Sequence, residues 1–374
     1  HMTNIDKYRG CLIGGAAGDA LGYAVEFSRE DQIAARYGAG GIRDYQLDDR
    51  GLAPFSDDTQ MTLYTANGLL HALTRGRLRG ILGPLRDYVS GFYVEWSRTQ
   101  TEPYPLADHS AWISALPELF VPRAPGATCL SACAAGAHGT PEEPINDSKG
   151  CGGIMRVAPA GLLASPRGAD GAAVQRLGAQ LAALTHGHEL GWLPAGVFAH
   201  IVSVLAHGEA DSVRGAAEQA LAVLPEAHPG ARRVGELQEL MRLVLRLADG
   251  TAPDVEAIHQ LGEGWVAEEA LAIALLCALR HEDDFEGTVV SAVNHSGDSD
   301  STGAIAGNIV GARLGLAGIP RRYTERLELA DVVLALADDL FTGCPITEYC
   351  PSPDGVWEHK YLLPADYVEW ERDR

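Results

Sequence analysis

Two acidic segments far apart in the chain carry the residue types that could do chemistry. One is Ser56-Asp57-Asp58-Thr59, and the other is the stretch 294–303, which contains Asp298 and Asp300 among several hydroxyl groups. Four carboxylates in one pocket would repel one another unless a cation compensated their charge. Oxygen ligands select hard cations, so Mg²⁺, Mn²⁺ or Ca²⁺ is expected before Zn²⁺. The two segments therefore predict a shared metal site.

The spacing of the carboxylates limits the local structure that could bring them together. Asp57 and Asp58 are adjacent, and Asp298 and Asp300 are two apart, so neither pair shares a face of a regular helix. The carboxylates can converge only from a turn or from the first turn of a helix. Each segment precedes a long apolar run, which is consistent with such a position.

Helix capping is the ordinary interpretation of each segment taken alone. Asp57 followed by Gln60 matches a capping box, and Ser299 or Asp298 could cap the helix expected near Thr302. An EF-hand loop is a further alternative for the second segment. It fails at Thr302, where Asp or Asn is expected, and it lacks the bidentate Glu at its last ligand position.

Three more segments join these two in a family resemblance. They are Gly14-Gly15-Ala16-Ala17-Gly18-Asp19-Ala20-Leu21-Gly22 followed by Glu26-Phe27, the Gly-rich stretch 150–159, and Thr185-His186-Gly187-His188. Together the five segments resemble the ADP-ribosylglycohydrolase family. The matches span roughly residues 8 to 315 in the family's order. Five ordered matches are far more specific than any single one.

The resemblance implies two Mg²⁺ or Mn²⁺ ions held by both acidic segments. The implied metal ligands are Ser56, Asp57, Asp58, Asp298, Asp300 and Ser301. The implied catalytic carboxylates are Asp57, Asp58, Glu26 and Asp300. Which of Asp57, Asp58 and Glu26 acts as general acid or base stays open, and a helix-end Glu facing solvent is the ordinary interpretation of Glu26. Ser56 stands where the family more often has Thr, but the hydroxyl is retained.

The resemblance also implies a set of substrate contacts. These are Gly150, Cys151, Gly152, Gly153, His186 and Ser299. A Gly-rich turn ahead of a helix presents free backbone amides, which suits a diphosphate, although a plain tight turn explains the same glycines. His186 would orient the substrate or a water molecule. The ordinary alternative is a helix-end His that satisfies the last carbonyl groups.

The implied reaction is hydrolysis of the glycosidic bond between ADP-ribose and a modified acceptor, with release of ADP-ribose. Such cleavage passes through an oxocarbenium-like state that neighbouring carboxylates stabilise. The expected partner is an ADP-ribosylated protein, with arginine as the favoured modified side chain, or a small ADP-ribosyl compound. Two alternatives remain open at this point: a catalytically silent ADP-ribose-binding protein, and a hydrolase of a non-protein ADP-ribosyl compound.

Composition narrows the classes of partner. The 374 residues are 46% hydrophobic and 21% charged, which is typical of an ordinary globular protein. A net charge of -21 argues against stable binding to nucleic acids or a membrane surface, because both are anionic. Seven cysteines without a CxxC pair make a zinc site a weak prediction. Reduced thiols and no recognisable signal peptide predict a cytoplasmic protein.

Apolar residues recur at helical spacing through most of the chain, and alternating strands are scarce. The sequence predicts an all-α protein: a single compact multi-helix orthogonal bundle over residues 3–343 with a dinuclear metal cleft, and an irregular, aromatic and Pro-rich extension over 344–374 packed on it.

Four segments carry more specific predictions. The glycines of the first helix, residues 5–24, require close approach by a neighbouring helix. A phosphate loop at 14–18 is disfavoured, because no Gly-Lys-Ser/Thr follows. Residues 28–55 are expected to form a long loop, and long loops inside compact domains often act as lids. Residues 190–206 are expected to form a buried helix rather than a membrane span.

Overall fold

The computed structural model describes residues 4–163, 170–353 and 355–364. Within these residues the only β pairing consists of two isolated bridges, Ala53 with Leu327 and Gly150 with Val266. The described residues form seventeen α-helices: α1 Asn4–Tyr23, α2 Glu30–Tyr37, α3 Asp57–Arg79, α4 Leu85–Thr101, α5 Ala127–Ala134, α6 Ala158–Leu162, α7 Gly171–Ala183, α8 Glu189–Ala206, α9 Val213–Ala227, α10 Val234–Asp249, α11 Asp254–His259, α12 Ala267–Arg280, α13 Phe285–Val293, α14 Ser299–Leu314, α15 Arg321–Glu325, α16 Ala330–Thr342 and α17 Val356–Leu362. The all-α prediction is confirmed.

Helices α1 and α14 pack in direct backbone contact. The contact is made by glycines four residues apart on both helices, Gly10, Gly14 and Gly18 against Gly311, Gly307 and Gly303. A Cβ atom on Gly18 would stand 2.0 Å from the carbonyl oxygen of Gly303, so no side chain fits there. The packing that this close approach permits offsets the low helix propensity of glycine. The neighbour that the sequence required for its first helix is therefore α14.

The pairing of α1 with α14 is antiparallel and has a fixed register. Asn308 donates from Nδ2 to the carbonyl oxygen of Cys11 at 2.7 Å, and its amide fills the space where Gly15 lacks a side chain. At the other end of the contact, Gly22 lies against the backbone of Ser299. The C-terminus of α1 therefore meets the N-terminus of α14, which places the residues after α1 beside the second acidic segment.

Helix α8 is the longest apolar helix in the described part of the chain. It is long and apolar enough to cross a membrane by length and composition, but 94% of that stretch is buried inside the protein. Helices α6, α7, α9, α12 and α14 pack around it. The prediction of a buried helix over 190–206 is confirmed.

Three segments differ from the sequence-based expectation. The predicted loop 28–55 contains the two-turn helix α2, whose single buried residue Ile33 was too little for a periodic signal. Apolar spacing over 322–342 predicts one helix, but the chain forms two, α15 and α16, and Leu329, with a left-handed φ of 52°, interrupts the helical backbone just before α16. Helix α14 begins at Ser299, earlier than expected, because the acidic segment itself forms its first turn.

The C-terminal segment includes a short helix where irregular structure was expected. In α17, Trp357 donates from Nε1 to the Thr74 hydroxyl of α3 at 2.8 Å. His71 of α3 donates from Nδ1 to the carbonyl oxygen of Tyr361 at 2.7 Å. Residues 354 and 365–374 of the predicted extension, as well as residues 3 and 164–169 of the predicted domain, lie outside the described residues. The division of the chain at residue 343 stays a prediction.

Replacing Gly18 by Ala tests the backbone contact. We expect Gly18→Ala to lower the free energy of unfolding by about 3 kcal/mol, because the added methyl group forces α1 and α14 apart. Gly91→Ala is the matched control: this helical glycine is exposed, nothing lies within 4 Å of an added Cβ, and the change should stabilise α4 by about 0.5–1 kcal/mol. Urea unfolding measures both. Equal stability of Gly18→Ala and the wild type would contradict the packing described.

Candidate metal centre and substrate cleft

The two acidic segments form the N-termini of α3 and α14. Ser56 is the N-cap of α3, and its Oγ accepts a hydrogen bond from the N–H of Asp58 at 3.1 Å. Asp298 is the N-cap of α14, and Asp300 lies in its first turn. The carboxylates therefore converge from first helical turns, as their spacing predicted. The positive ends of both helix dipoles favour negative charge at these positions.

Capping alone does not explain the acidic segments. Gln60 forms no capping box, because its Oε1 accepts from Trp96 Nε1 at 3.1 Å and its Nε2 donates to Val121 O at 3.2 Å. Asp298 makes no side-chain capping bond to α14. The residue that caps α3 is Ser56, which was not among the predicted caps. The buried carboxylates need another explanation.

Asp19 of α1 fixes the start of α3. This fully buried carboxylate accepts from the N–H and Oγ of Ser56 at 3.0 and 2.6 Å, and from the N–H and Oγ1 of Thr59 at 3.1 and 2.6 Å. Four hydrogen bonds to one carboxylate hold Asp57 and Asp58 in a single orientation. Asp19 received no role in the sequence analysis, because a lone Asp in a helix of small residues gives no signal of its own.

A direct hydrogen bond joins the two acidic segments. Ser301 donates from Oγ to Asp58 Oδ2 at 2.7 Å, and both residues are buried. Two sets of carboxylates have one oxygen each within 4.8 Å of the others: Asp19, Asp58 and Asp300, and Glu26, Asp298 and Asp300. Asp300 belongs to both sets and lies at the centre of the cluster.

The donor set fits a hard divalent cation. Asp298 Oδ1, Asp300 Oδ1 and Glu26 Oε2 are buried and have no hydrogen-bond partner among the described residues. Unpartnered buried carboxylate oxygens are costly in a folded protein, and convergent ones are what a cation with oxygen ligands would satisfy. Because these three oxygens converge from two distant chain segments, a metal explains the cluster better than any bond within the protein.

Burial and mutual repulsion raise the pKa values of the clustered carboxylates. Desolvation is the main cause for Asp57, Asp58 and Asp300, and the neighbouring carboxylates raise their pKa values further. For Glu26 the same two causes raise the pKa to about 9. For Asp19, burial raises the pKa to about 6, although the hydrogen bonds from Ser56 and Thr59 oppose it. The cluster cannot be fully ionised near neutral pH without added positive charge.

A cleft of about 340 Å³ opens onto the cluster. The predicted site residues that line it are Glu26, Asp57, Asp58, Asp298, Ser301, Gly150, Cys151, Gly152 and His186. The mouth carries two aromatic rings that the sequence analysis did not pair, Phe27 and Trp265, stacked at 6.2 Å between centroids and 11° between planes. Both are well exposed. Their proximity could not be predicted from residue spacing in the sequence, because the two rings come from distant segments.

Four predicted site residues are not among those that line the cleft: Ser299, Gly153, Ser56 and Asp300. Ser299 donates from Oγ to the carbonyl oxygens of His295 and Gly297 at 3.4 Å, and it is absent from the residues described as lining the cleft. Gly153 packs against Ala182 of α7, where a Cβ would lie at 2.9 Å. Ser56 donates its hydroxyl proton to Asp19.

His186 is a neutral residue of the cleft wall. Burial, followed by the charge of Arg156, lowers its pKa to about 3. The Thr185 hydroxyl accepts from Arg156 Nη2 at 2.7 Å and lies 2.7 Å from His186 Nδ1, closer than the 3.5 Å to Ala182 O. From these distances, the Thr185 hydroxyl donates a hydrogen bond to Nδ1 of His186. The neutral ring therefore carries its own proton on Nε2, which lies on the side of Gly152. His186 can therefore donate a hydrogen bond but not serve as a cation.

The raised pKa values of the carboxylate cluster predict that the metal-free protein, in EDTA, becomes less stable as the pH rises. The Glu26 pKa of about 9 in the folded chain exceeds its ordinary value of 4.5, so folding retains protons that the unfolded chain releases as pH rises between those values. We expect the cluster to destabilise the metal-free protein more at pH 8.5 than at pH 5.5. Added Mg²⁺ or Mn²⁺ should raise the melting temperature more at pH 8.5.

Asp300→Asn isolates the contribution of the cluster to this pH effect. It should raise the free energy of unfolding in EDTA at pH 8.5 by about 1 kcal/mol or more, because one of the repelling charges is gone. Glu218→Gln, which removes an exposed carboxylate in the middle of α9, should change stability little. Chemical denaturation at both pH values measures this. A loss of stability for Asp300→Asn at pH 8.5 would show that its charge is compensated within the protein.

Comparison with known proteins assigns the chain to a family. The sequence profile of the ADP-ribosylglycohydrolase family matches residues 1–348. ADP-ribosylhydrolase ARH3 of Danio rerio is 26% identical over 360 residues, covering 90% of this chain and 89% of that protein. ADP-ribosyl-[dinitrogen reductase] glycohydrolase of Rhodospirillum rubrum is 25% identical over 352 residues, covering 89% and 97%.

A solved structure shows the same fold. The ADP-ribosylglycohydrolase-related protein complex superposes with a TM-score of 0.60 at 24% identity and covers 91% of this chain and 99% of that one. The family profile spans both acidic segments, the Gly-rich segment and His186. This chain belongs to the ADP-ribosylglycohydrolase family and is a glycosyl hydrolase.

Proposed function

We propose that this protein hydrolyses the glycosidic bond between ADP-ribose and a modified arginine side chain of a protein, in a reaction that depends on Mg²⁺ or Mn²⁺. The observation that carries the metal dependence is the convergence of the unpartnered oxygens of Asp298, Asp300 and Glu26 below an open cleft. The family supports the ADP-ribosyl bond as the one cleaved.

Two divalent ions would be held by the carboxylates of both helix N-termini together with Glu26. The proposed ligands are Asp57, Asp58, Asp298, Asp300, Glu26, Ser56 and Ser301. When bound, the ions would supply positive charge that orients the ribose hydroxyls and lowers the pKa of a water molecule. Ser56 and Ser301 each donate a proton to a carboxylate, which leaves oxygen lone pairs for a cation.

The carboxylates at the cleft wall would move the protons of the reaction. Glu26 lies at the mouth beside Phe27, so the oxygen of its carboxylate that binds no ion is our candidate for relaying a proton to the leaving group. Asp57 also lines the cleft and would accept a proton from the attacking water. The remaining carboxylates would stabilise the positive charge that develops at the ribose.

Backbone amides on the opposite wall would hold the diphosphate. The N-terminus of α5 faces the cleft with Gly126, Ala127 and Thr128. Such a helix end favours anions. In the Gly-rich segment, the N–H of Gly150 donates to Ser148 Oγ and the N–H of Cys151 donates to Trp265 O. The amide of Gly152 and the ring N–H of His186 are therefore the proposed donors on that side.

The cleft mouth favours a cationic acceptor. Among its described lining residues there is no Lys or Arg that would repel a cation. The exposed stacked rings of Phe27 and Trp265 offer two π faces. A guanidinium group is planar and cationic, so it can pack on such rings. A serine side chain has neither property.

Release of ADP-ribose from modified peptides tests the activity. We expect turnover of an arginine-modified peptide with Mg²⁺ or Mn²⁺, none in EDTA, and a loss of about 100-fold or more for Asp300→Asn, with Glu218→Gln close to wild type. Turnover that persists in EDTA would refute the metal dependence. Tight ADP-ribose binding without turnover of arginine- or serine-modified peptides would indicate a silent binding protein or a non-protein substrate.

Comparison of two acceptors tests the role of the aromatic pair. Trp265→Ala should lower kcat/KM for the arginine-modified peptide about 2- to 5-fold, the amount expected from one cation–π contact at an exposed site, and change serine-peptide turnover or ADP-ribose affinity much less. Tyr349→Ala removes an exposed ring far along the chain and is the control. Equal losses on both acceptors would show that the rings bind the shared ADP-ribose part instead.

A further inference from the structure

Cys151 introduces a soft ligand into a centre otherwise built from oxygen. Its Sγ lies 2.7 Å from Asp298 Oδ2 and 3.6 Å from the Ser301 hydroxyl, and it lines the cleft. The other oxygen of Asp298 is unpartnered, as is Asp300 Oδ1, and these residues are 3% and 1% exposed. The sulfur is therefore adjacent to the same carboxylates that a hard cation would use.

We propose that Cys151 and Asp298 form a binding site for a thiophilic divalent cation, Zn²⁺ or Cd²⁺, that excludes the Mg²⁺ or Mn²⁺ of the carboxylate cluster. A thiolate with carboxylates suits Zn²⁺ or Cd²⁺ better than Mg²⁺. On binding, the S–H bond is replaced by a bond from sulfur to the cation, and the proton leaves to solvent. The proposal concerns binding and is tested without turnover.

The other cysteines lack this combination. Cys11, Cys129, Cys133, Cys277 and Cys344 are buried, and Cys350 is exposed in the C-terminal segment. Cys129 lies 3.6 Å from the guanidinium of Arg156, which would repel a cation. Cys277 accepts from the Ser291 hydroxyl at 3.3 Å. Of the seven thiols, Cys151 is the one placed beside an unpartnered buried carboxylate oxygen in an open cleft.

A Cd²⁺ titration of the protein, followed by the ultraviolet thiolate-to-Cd²⁺ charge-transfer band, tests the site. We expect one band that saturates at one equivalent, and a midpoint that moves to higher Cd²⁺ concentration in excess Mg²⁺. Cys151→Ser should abolish the band. Asp298→Asn keeps the thiol and should weaken Cd²⁺ binding at least about 10-fold. Cys350→Ser is the matched control and should leave the titration unchanged.

Three results would overturn the proposal. The first is a band that survives in Cys151→Ser or disappears in Cys350→Ser, which would place the cation elsewhere. The second is a midpoint unaffected by Mg²⁺ or by Asp298→Asn, which would separate the thiol from the carboxylate centre. The third is a wild type without a band. Circular dichroism of each variant confirms that it is folded, and Asp298→Asn keeps the test valid if Cys151→Ser does not fold.

Discussion

The carbonyl oxygens of α14 lie where side chains on α1 would otherwise be, and the backbone contact of Gly18 with Gly303 sets the geometry of the site. This contact lets α1 bring Asp19 under the N-terminus of α3, while α14 carries Asp300 at its own N-terminus. A pair of helices separated by larger side chains would hold these carboxylates farther apart. The glycines are thus structural residues that serve the chemistry of residues several positions away.

The same arrangement places mutually repelling carboxylates close together in the folded protein. Burial and mutual charge raise the pKa values of Asp57, Asp58 and Asp300, and three oxygens of the cluster find no partner among the described residues. Helix dipoles and hydrogen bonds from Ser56, Thr59 and Ser301 reduce this cost without removing it. A divalent cation would convert the repulsion into binding energy, so stability and metal affinity are coupled.

The sequence predicted the parts of the site that have local signals. Asp57, Asp58, Asp298 and Asp300 were recognisable because carboxylates and hydroxyls cluster ahead of apolar runs, and their convergence from first helical turns followed from spacing. Asp19 was not assigned, since its hydrogen bonds to α3 arise only from tertiary packing. The same holds for the stacking of Phe27 on Trp265 and for the position of Gly153 against Ala182. Periodicity located most helices but missed α2, which buries one side chain.

Anomalous diffraction from crystals grown with Mn²⁺ tests most directly whether the two helix N-termini jointly hold cations. We expect anomalous density between the carboxylates of Asp58 and Asp300, within coordinating distance of residues from both α3 and α14. Density bound by only one of these helices, or lying outside the cluster altogether, would contradict it.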